Sequence, residues 1–146
     1  MKIRYNAPVT LTFALISMAI LLADTLIGAG LTESFFSIGP SMDWRSPADY
    51  LRLLFHVLGH INWTHFMSNF AFILLLGPIL EEKYGGSNLL FMMIITALVT
   101  GLLNIALLPT GLLGASGIVF MMILLVSFTN IRSGEIPLTF ILVVLI

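Results

Sequence analysis

Long apolar runs separated by short polar breaks set the pattern of this chain. Pro8 to Gly30 is apolar apart from scattered hydroxyls and one charge, Asp24. At 1.5 Å of rise per residue, about 20 such residues cross a hydrocarbon core about 30 Å thick, so this run predicts a membrane-spanning helix. It is too long for the apolar segment of a cleavable signal, and it reads as a retained span. Residues 31–60 mix charges, Pro, Gly and aromatics, a pattern for a long loop or re-entrant segment. Ile61 to Leu80 predicts a second span whose only titratable group is His65. Glu81 to Ser87 reads as a polar turn, and Asn88 to Leu108 as a third span. Pro109-Thr110-Gly111 breaks that span, and Ser116 to about Thr129 forms a short fourth. After a polar turn over Asn130 to Glu135, Pro137 stands at a favourable first helical position and opens a fifth apolar run to Ile146. Ten helical residues cover only about 15 Å, so the expectation is a sequence that stops within a membrane helix. The fold class expected is an all-α polytopic bundle over residues 1–146. It would be a single, C-terminally incomplete domain with spans at about 8–30, 61–80, 88–108, 116–129 and, in part, 137–146.

Composition agrees with the pattern. Of the 146 residues, 59% are hydrophobic and 9% charged, against about 25% charged in soluble domains. A net charge of −1 gives no electrostatic footprint for nucleic acid. With no cysteine, the chain has no disulfide framework, thiolate metal site or cysteine nucleophile. Nothing in it calls for a cofactor or a metal. Lys2 and Arg4 precede the first span; alternating the spans puts Lys83 and Arg132 on the same side, opposite Arg45 and Arg52. The excess of cations predicts a cytoplasmic N-terminus; the localisation expected is that of a multi-pass protein of a prokaryotic plasma membrane.

Polar side chains inside spans are functional candidates by default. His56 and His60 are four residues apart, as are His65 and Asn69, so each pair can share a helix face. Interhelical hydrogen bonding, use in catalysis or anion binding, and metal binding by three histidines all fit that spacing. Gly114-Ala115-Ser116-Gly117 places a serine among small residues where a helix opens, just after the Pro/Gly break. Unpaired N–H groups and the positive end of the helix dipole favour a developing oxyanion there. Small residues also serve plain helix packing, and serine is an ordinary N-cap. Thr96, Thr100 and Asn104 repeat at four on the third span and read as an interhelical face. Gly77-Pro78-Ile79-Leu80-Glu81 closes the second span, where Glu81 is either solvated or ties helix ends together. The groups gain weight in combination. His65 and Asn69 descend from the outer end of one span while Ser116 opens another at the same end, and acyl transfer needs a nucleophile facing hydrogen-bond donors.

These residues resemble the rhomboid family. Arg52, His56, His60, His65 and Asn69 follow the spacing of that family's first loop and second helix; Gly77 to Glu81 with Gly85 is similar to the pattern closing that helix, and Gly114-Ala115-Ser116-Gly117 to its Gly-x-Ser-Gly motif. The resemblance covers about residues 44–130. It implies a six-helix core with a short central fourth helix and with residues 31–60 lying partly in the outer leaflet. It makes Ser116 the nucleophile of an intramembrane serine endopeptidase, gives His65 and Asn69 to the oxyanion hole with the Ser116 amide, and makes Arg52, His56, His60 and Glu81 structural. The substrates implied are transmembrane segments of other proteins, cleaved near the outer membrane face. Leu51 departs from the aromatic that many relatives carry before the Arg. The larger departure is the general base. Rhomboids place it on a sixth helix, and no His follows His65 here. This polypeptide alone is therefore expected to be inactive. A non-catalytic rhomboid-like protein that binds transmembrane helices is the alternative, and a channel or transporter the more remote one.

Overall fold

The computed structural model describes residues 4–129 and 138–145. Helix α1 (Pro8–Ile27) leads to the short α2 (Leu31–Phe36), then α3 (Pro47–Phe55), which runs into a single 3₁₀ turn (His56–Leu58). Helices α4 (Trp63–Tyr84), α5 (Gly86–Leu107), α6 (Ser116–Thr129) and α7 (Leu138–Leu145) follow. The all-α reading holds, and α1, α4 and α5 are each long and apolar enough to cross a membrane. The turn over residues 130–135 and Pro137 fall outside the described residues.

Two boundaries differ from the sequence pattern for physical reasons. The polar stretch after Leu80 is not a loop. Glu81, Glu82, Lys83 and Tyr84 continue α4, because charged residues of good helix propensity lengthen a helix once it reaches water, and the break shrinks to Gly85. Residues 31–60 are not one loop either, since two short helices and a 3₁₀ turn lie within them. Asp24, the lone charge of the first span, accounts for the corner into this segment. Its carboxylate accepts from the N–H groups of Leu31 (2.6 Å) and Thr32 (3.2 Å), capping α2 from the preceding helix.

Helix α4 is packed against α1, α5 and α6. Its inward stripe of Phe66, Phe70, Ile73 and Leu80 is buried and meets Phe13 and Leu21 of α1, Leu89 and Met93 of α5, and Ile118 and Met122 of α6. Phe66 and Phe70 stack at 4.4 Å, and Phe13 lies 5.4 Å from Phe70. At the foot of the bundle, buried Glu81 reaches the first turn of α1. Oε1 accepts from Val9 N–H (2.9 Å); Oε2 accepts from Thr10 N–H (3.0 Å) and from the Thr10 hydroxyl (2.8 Å). These are donors that a helix leaves unpaired at its start. Gly77 allows the approach, for a Cβ there would lie 2.5 Å from Thr10 Cγ2.

Glu81→Ala would strand two amides and a hydroxyl in a dry place, at about 1–3 kcal/mol for each unpaired buried donor. The expected loss of stability is about 2–4 kcal/mol with partial relaxation, and Glu81→Gln, which keeps one acceptor, should lose less. Unfolding in mixed micelles with rising SDS fraction measures both; equal midpoints for wild type and Glu81→Ala would refute the role.

Candidate active site

Asn62 starts the site's first wall. Its side-chain oxygen accepts from His65 N–H at 2.8 Å and caps α4. That fixes the first turn, so His65 and Asn69, one turn apart, face α6. Asn69 is buried, and its Nδ2 has no hydrogen-bond partner among the described residues. His65 is half-buried.

The second wall is the segment before α6. Gly114 has φ of +115°, a conformation open to glycine, and a Cβ there would lie 2.5 Å from His65 Cε1, 2.7 Å from Nε2 and 3.7 Å from Asn69 Nδ2. The glycine two residues before Ser116 thus lets the chain lie directly against the imidazole and the carboxamide.

Four residues of this segment are held by hydrogen bonds from outside it, three of them by partners far away in sequence. Leu112 and Ile38 exchange N–H···O=C bonds of 2.9 and 3.0 Å, and Gly114 N–H donates to His56 C=O at 3.0 Å. Ala115 N–H donates to His60 Nε2 at 3.4 Å, and Asn104 Nδ2 donates to Thr110 C=O at 2.9 Å. Ala115 C=O receives Val119 N–H, which leaves the first amides of α6, Ser116 among them, without an intrahelical acceptor.

His60 is fully buried between the two walls. With Nε2 accepting from Ala115, its proton sits on Nδ1, where Leu58 C=O lies 3.3 Å away. Burial, reinforced by His65 with ring centroids 5.0 Å apart, pushes the His60 pKa down to about 4. His56 donates from Nε2 to Ala97 C=O at 3.1 Å, and burial lowers its pKa as well. Both are neutral at pH 7, and both hold backbone in place.

Ser116 is exposed and opens α6. It lines a cavity of about 280 Å³ whose walls include Thr100 and Asn104 of α5, Leu112 and His56. The structure thus brings His65 and Asn69 against Gly114 on the α4 side, while Ser116 opens toward α5, two residues along the same strap. The Thr96–Thr100–Asn104 row serves as an interhelical face at Thr100, which packs on α6: a Cβ at Gly117 would lie 2.8 Å from its Cγ2. The two threonine hydroxyls bond back to carbonyls of their own helix, at 2.8 Å to Met92 for Thr96 and 2.8 Å to Thr96 for Thr100, while Asn104 bonds to the strap. The cavity role of Thr100 and Asn104 went unread in the sequence; their spacing of four was its one signal. Arg52 pairs with Asp49 at 2.7 Å and donates to Ser34 C=O at 2.8 Å, which ties α3 to α2.

A helical membrane bundle in which a serine opens a helix beside a glycine packed on His and Asn belongs to a defined class of membrane proteins. The rhomboid domain model matches residues 47–146, and the chain is a member of the rhomboid family. Comparison with curated protein sequences gave no match.

Two outcomes follow from this packing. Gly114→Ala should disrupt the strap, since the new methyl meets the His65 ring in a backbone conformation strained for alanine; a lowered melting temperature and changed protease protection around residues 110–116 would register it. The depressed His60 pKa means that the unfolded chain binds protons more readily than the folded one between about 6.5 and about 4. Stability should be level above pH 6.5 and fall as pH drops toward 4, with part of that slope missing in His60→Asn. Melting temperatures in detergent across this range test it.

Proposed function

We propose that this bundle is the catalytic body of an intramembrane serine endopeptidase, with Ser116 as nucleophile and His65, Asn69 and the Ser116 amide as oxyanion donors. The observation that carries the reading is the unpaired, buried Asn69 Nδ2 beside Gly114. A buried donor without a partner is costly, and a substrate oxyanion is a partner that fits. In this scheme a transmembrane segment unwinds next to Ser116, and its scissile carbonyl lies over the strap. The hydroxyl attacks as an imidazole takes its proton, and the carbonyl oxygen gains charge beside the Asn69 amide, the His65 ring and the start of α6. The tetrahedral adduct expels the amine, which takes that proton, and water then hydrolyses the acyl-enzyme. Strap and α4 are already fixed by hydrogen bonds, so the donors need little rearrangement.

The proton acceptor is the part this chain does not hold. Its histidines are His56, His60 and His65. The first two are committed to backbone groups, and His65 is assigned to the oxyanion side. Turnover therefore requires an imidazole supplied beyond this sequence, as family members supply it from a sixth helix. The same observation supports a second reading, in which the bundle binds transmembrane helices without cutting them. In both readings the N-terminus faces the cytoplasm of a prokaryote, the site opens outward, and the partners are transmembrane proteins.

A fluorophosphonate serine label, applied to the complete gene product in lipid, separates the two readings. Labelling and cleavage of a model transmembrane substrate, both lost in Ser116→Ala, are expected. Asn69→Ala should lower turnover by about 10²–10³, the cost of one oxyanion donor. Cleavage that persists in Ser116→Ala would remove the protease reading, and substrate capture with no labelling would leave the binder.

A further inference from the structure

A second cavity lies away from Ser116. It measures about 440 Å³, within the usual range for ligand pockets, and is wedged between α1 and α5 under the 3₁₀ turn. Val9 and Phe13 of α1, Met93 and Ala97 of α5, and Val57 and Leu58 of the turn line its inner wall. Among the described residues the only polar side chain lining it is Thr12, whose hydroxyl already pairs with the Tyr5 hydroxyl at 2.9 Å. Water has no partners there, and an apolar cavity of this kind excludes it.

The position of the groove says what fills it. Both flanking helices are membrane spans, and the lips are exposed on the bundle's outer wall, Ile16 at 45% and Ile94 at 37%. From Pro8 to Ile16 the helix rises about 12 Å, less than half of a ~30 Å core. The groove therefore belongs to the leaflet on the N-terminal side, and its roof lies near the midplane. Pro8 lines the foot of the groove, and exposed Arg4 precedes it by four residues, a cation at the end of the helix where the phosphates of this leaflet would lie. We propose that one acyl chain of a bilayer phospholipid occupies the groove between α1 and α5, with its phosphate at the Arg4 end and its chain against Val57 and Leu58. The chain supports the underside of the turn that holds Gly114 through His56 C=O.

The test uses the full chain in vesicles of phosphatidylcholine that carries a diazirine midway along one acyl chain. After photolysis, adducts are mapped by mass spectrometry. Inner-wall positions Phe13, Val57 and Met93, buried from bulk solvent, should label several-fold above Leu74 and Leu75, which are exposed on α4. The lip variants Thr12→Phe and Ile94→Trp fill the groove from its open side. They should bring inner-wall labelling down to the Leu74–Leu75 level or below while leaving those two unchanged, which also reports an intact fold. Inner-wall labelling no higher than at Leu74 and Leu75, or unaffected by both variants, overturns the proposal. So does ready disulfide dimerisation of Ile94→Cys, in a chain with no cysteine of its own, which would assign the groove to a second copy.

Discussion

A carboxylate at the foot of α4 holds the first turn of α1, and the placing of the other helices follows from it. Glu81 lies on the neighbouring helix, so its bonds to Val9 and Thr10 fix both the height and the rotation of α1. Gly77 then lets Thr10 dock flush, and the Phe13–Phe70 contact falls one turn further in. With apolar side chains equally content in lipid, burial alone gives membrane helices little reason to choose one rotation over another. Three hydrogen bonds, two of them buried, supply that choice, because leaving them unmade is costly.

The far end of the same helix carries His65 and Asn69, so one rod connects the anchor to the site. Around the site, backbone groups of Ile38 and His56 and the side chains of His60 and Asn104 have taken up backbone groups of the strap before Ser116. His60 is notable for its direction. It accepts rather than donates at Nε2, a role only its neutral form can fill, and its burial keeps it neutral. Part of the strap's rigidity thus comes from an imidazole whose chemistry could be mistaken for catalysis.

The spans were legible because unbroken apolar runs of sufficient length are what a bilayer demands, and α1, α4, α5 and α6 follow the apolar runs closely. The extension of α4 through Tyr84 was not legible, since polarity marks water and not the end of a helix. The helices inside residues 31–60 were hidden for a related reason: segments of six and nine residues leave weak periodic signals and depend on contacts such as Asp24 with Leu31. Of the site, the Gly114 to Gly117 motif and the His65–Asn69 spacing were readable as candidates. That Gly114 lies directly against the His65 ring could not be read, because it depends on the approach of α4 to the strap. The Ile38–Leu112 pairing left no trace at all, as backbone bonds name no side chain.

That pairing has a bearing on how the molecule is assembled. Ile38 enters early and Leu112 late, with α4 and α5 between them. Their mutual bonds can close only after both intervening helices have been threaded through the bilayer and brought back to the same surface. Until then the Gly114 and Ala115 amides have neither His56 nor His60 to meet, and a nascent chain displays its serine on an unfastened tether. Under the proposed function, chemistry would thus come last in the order of biogenesis, and a half-inserted intermediate would carry no formed cleft with which to attack its neighbours.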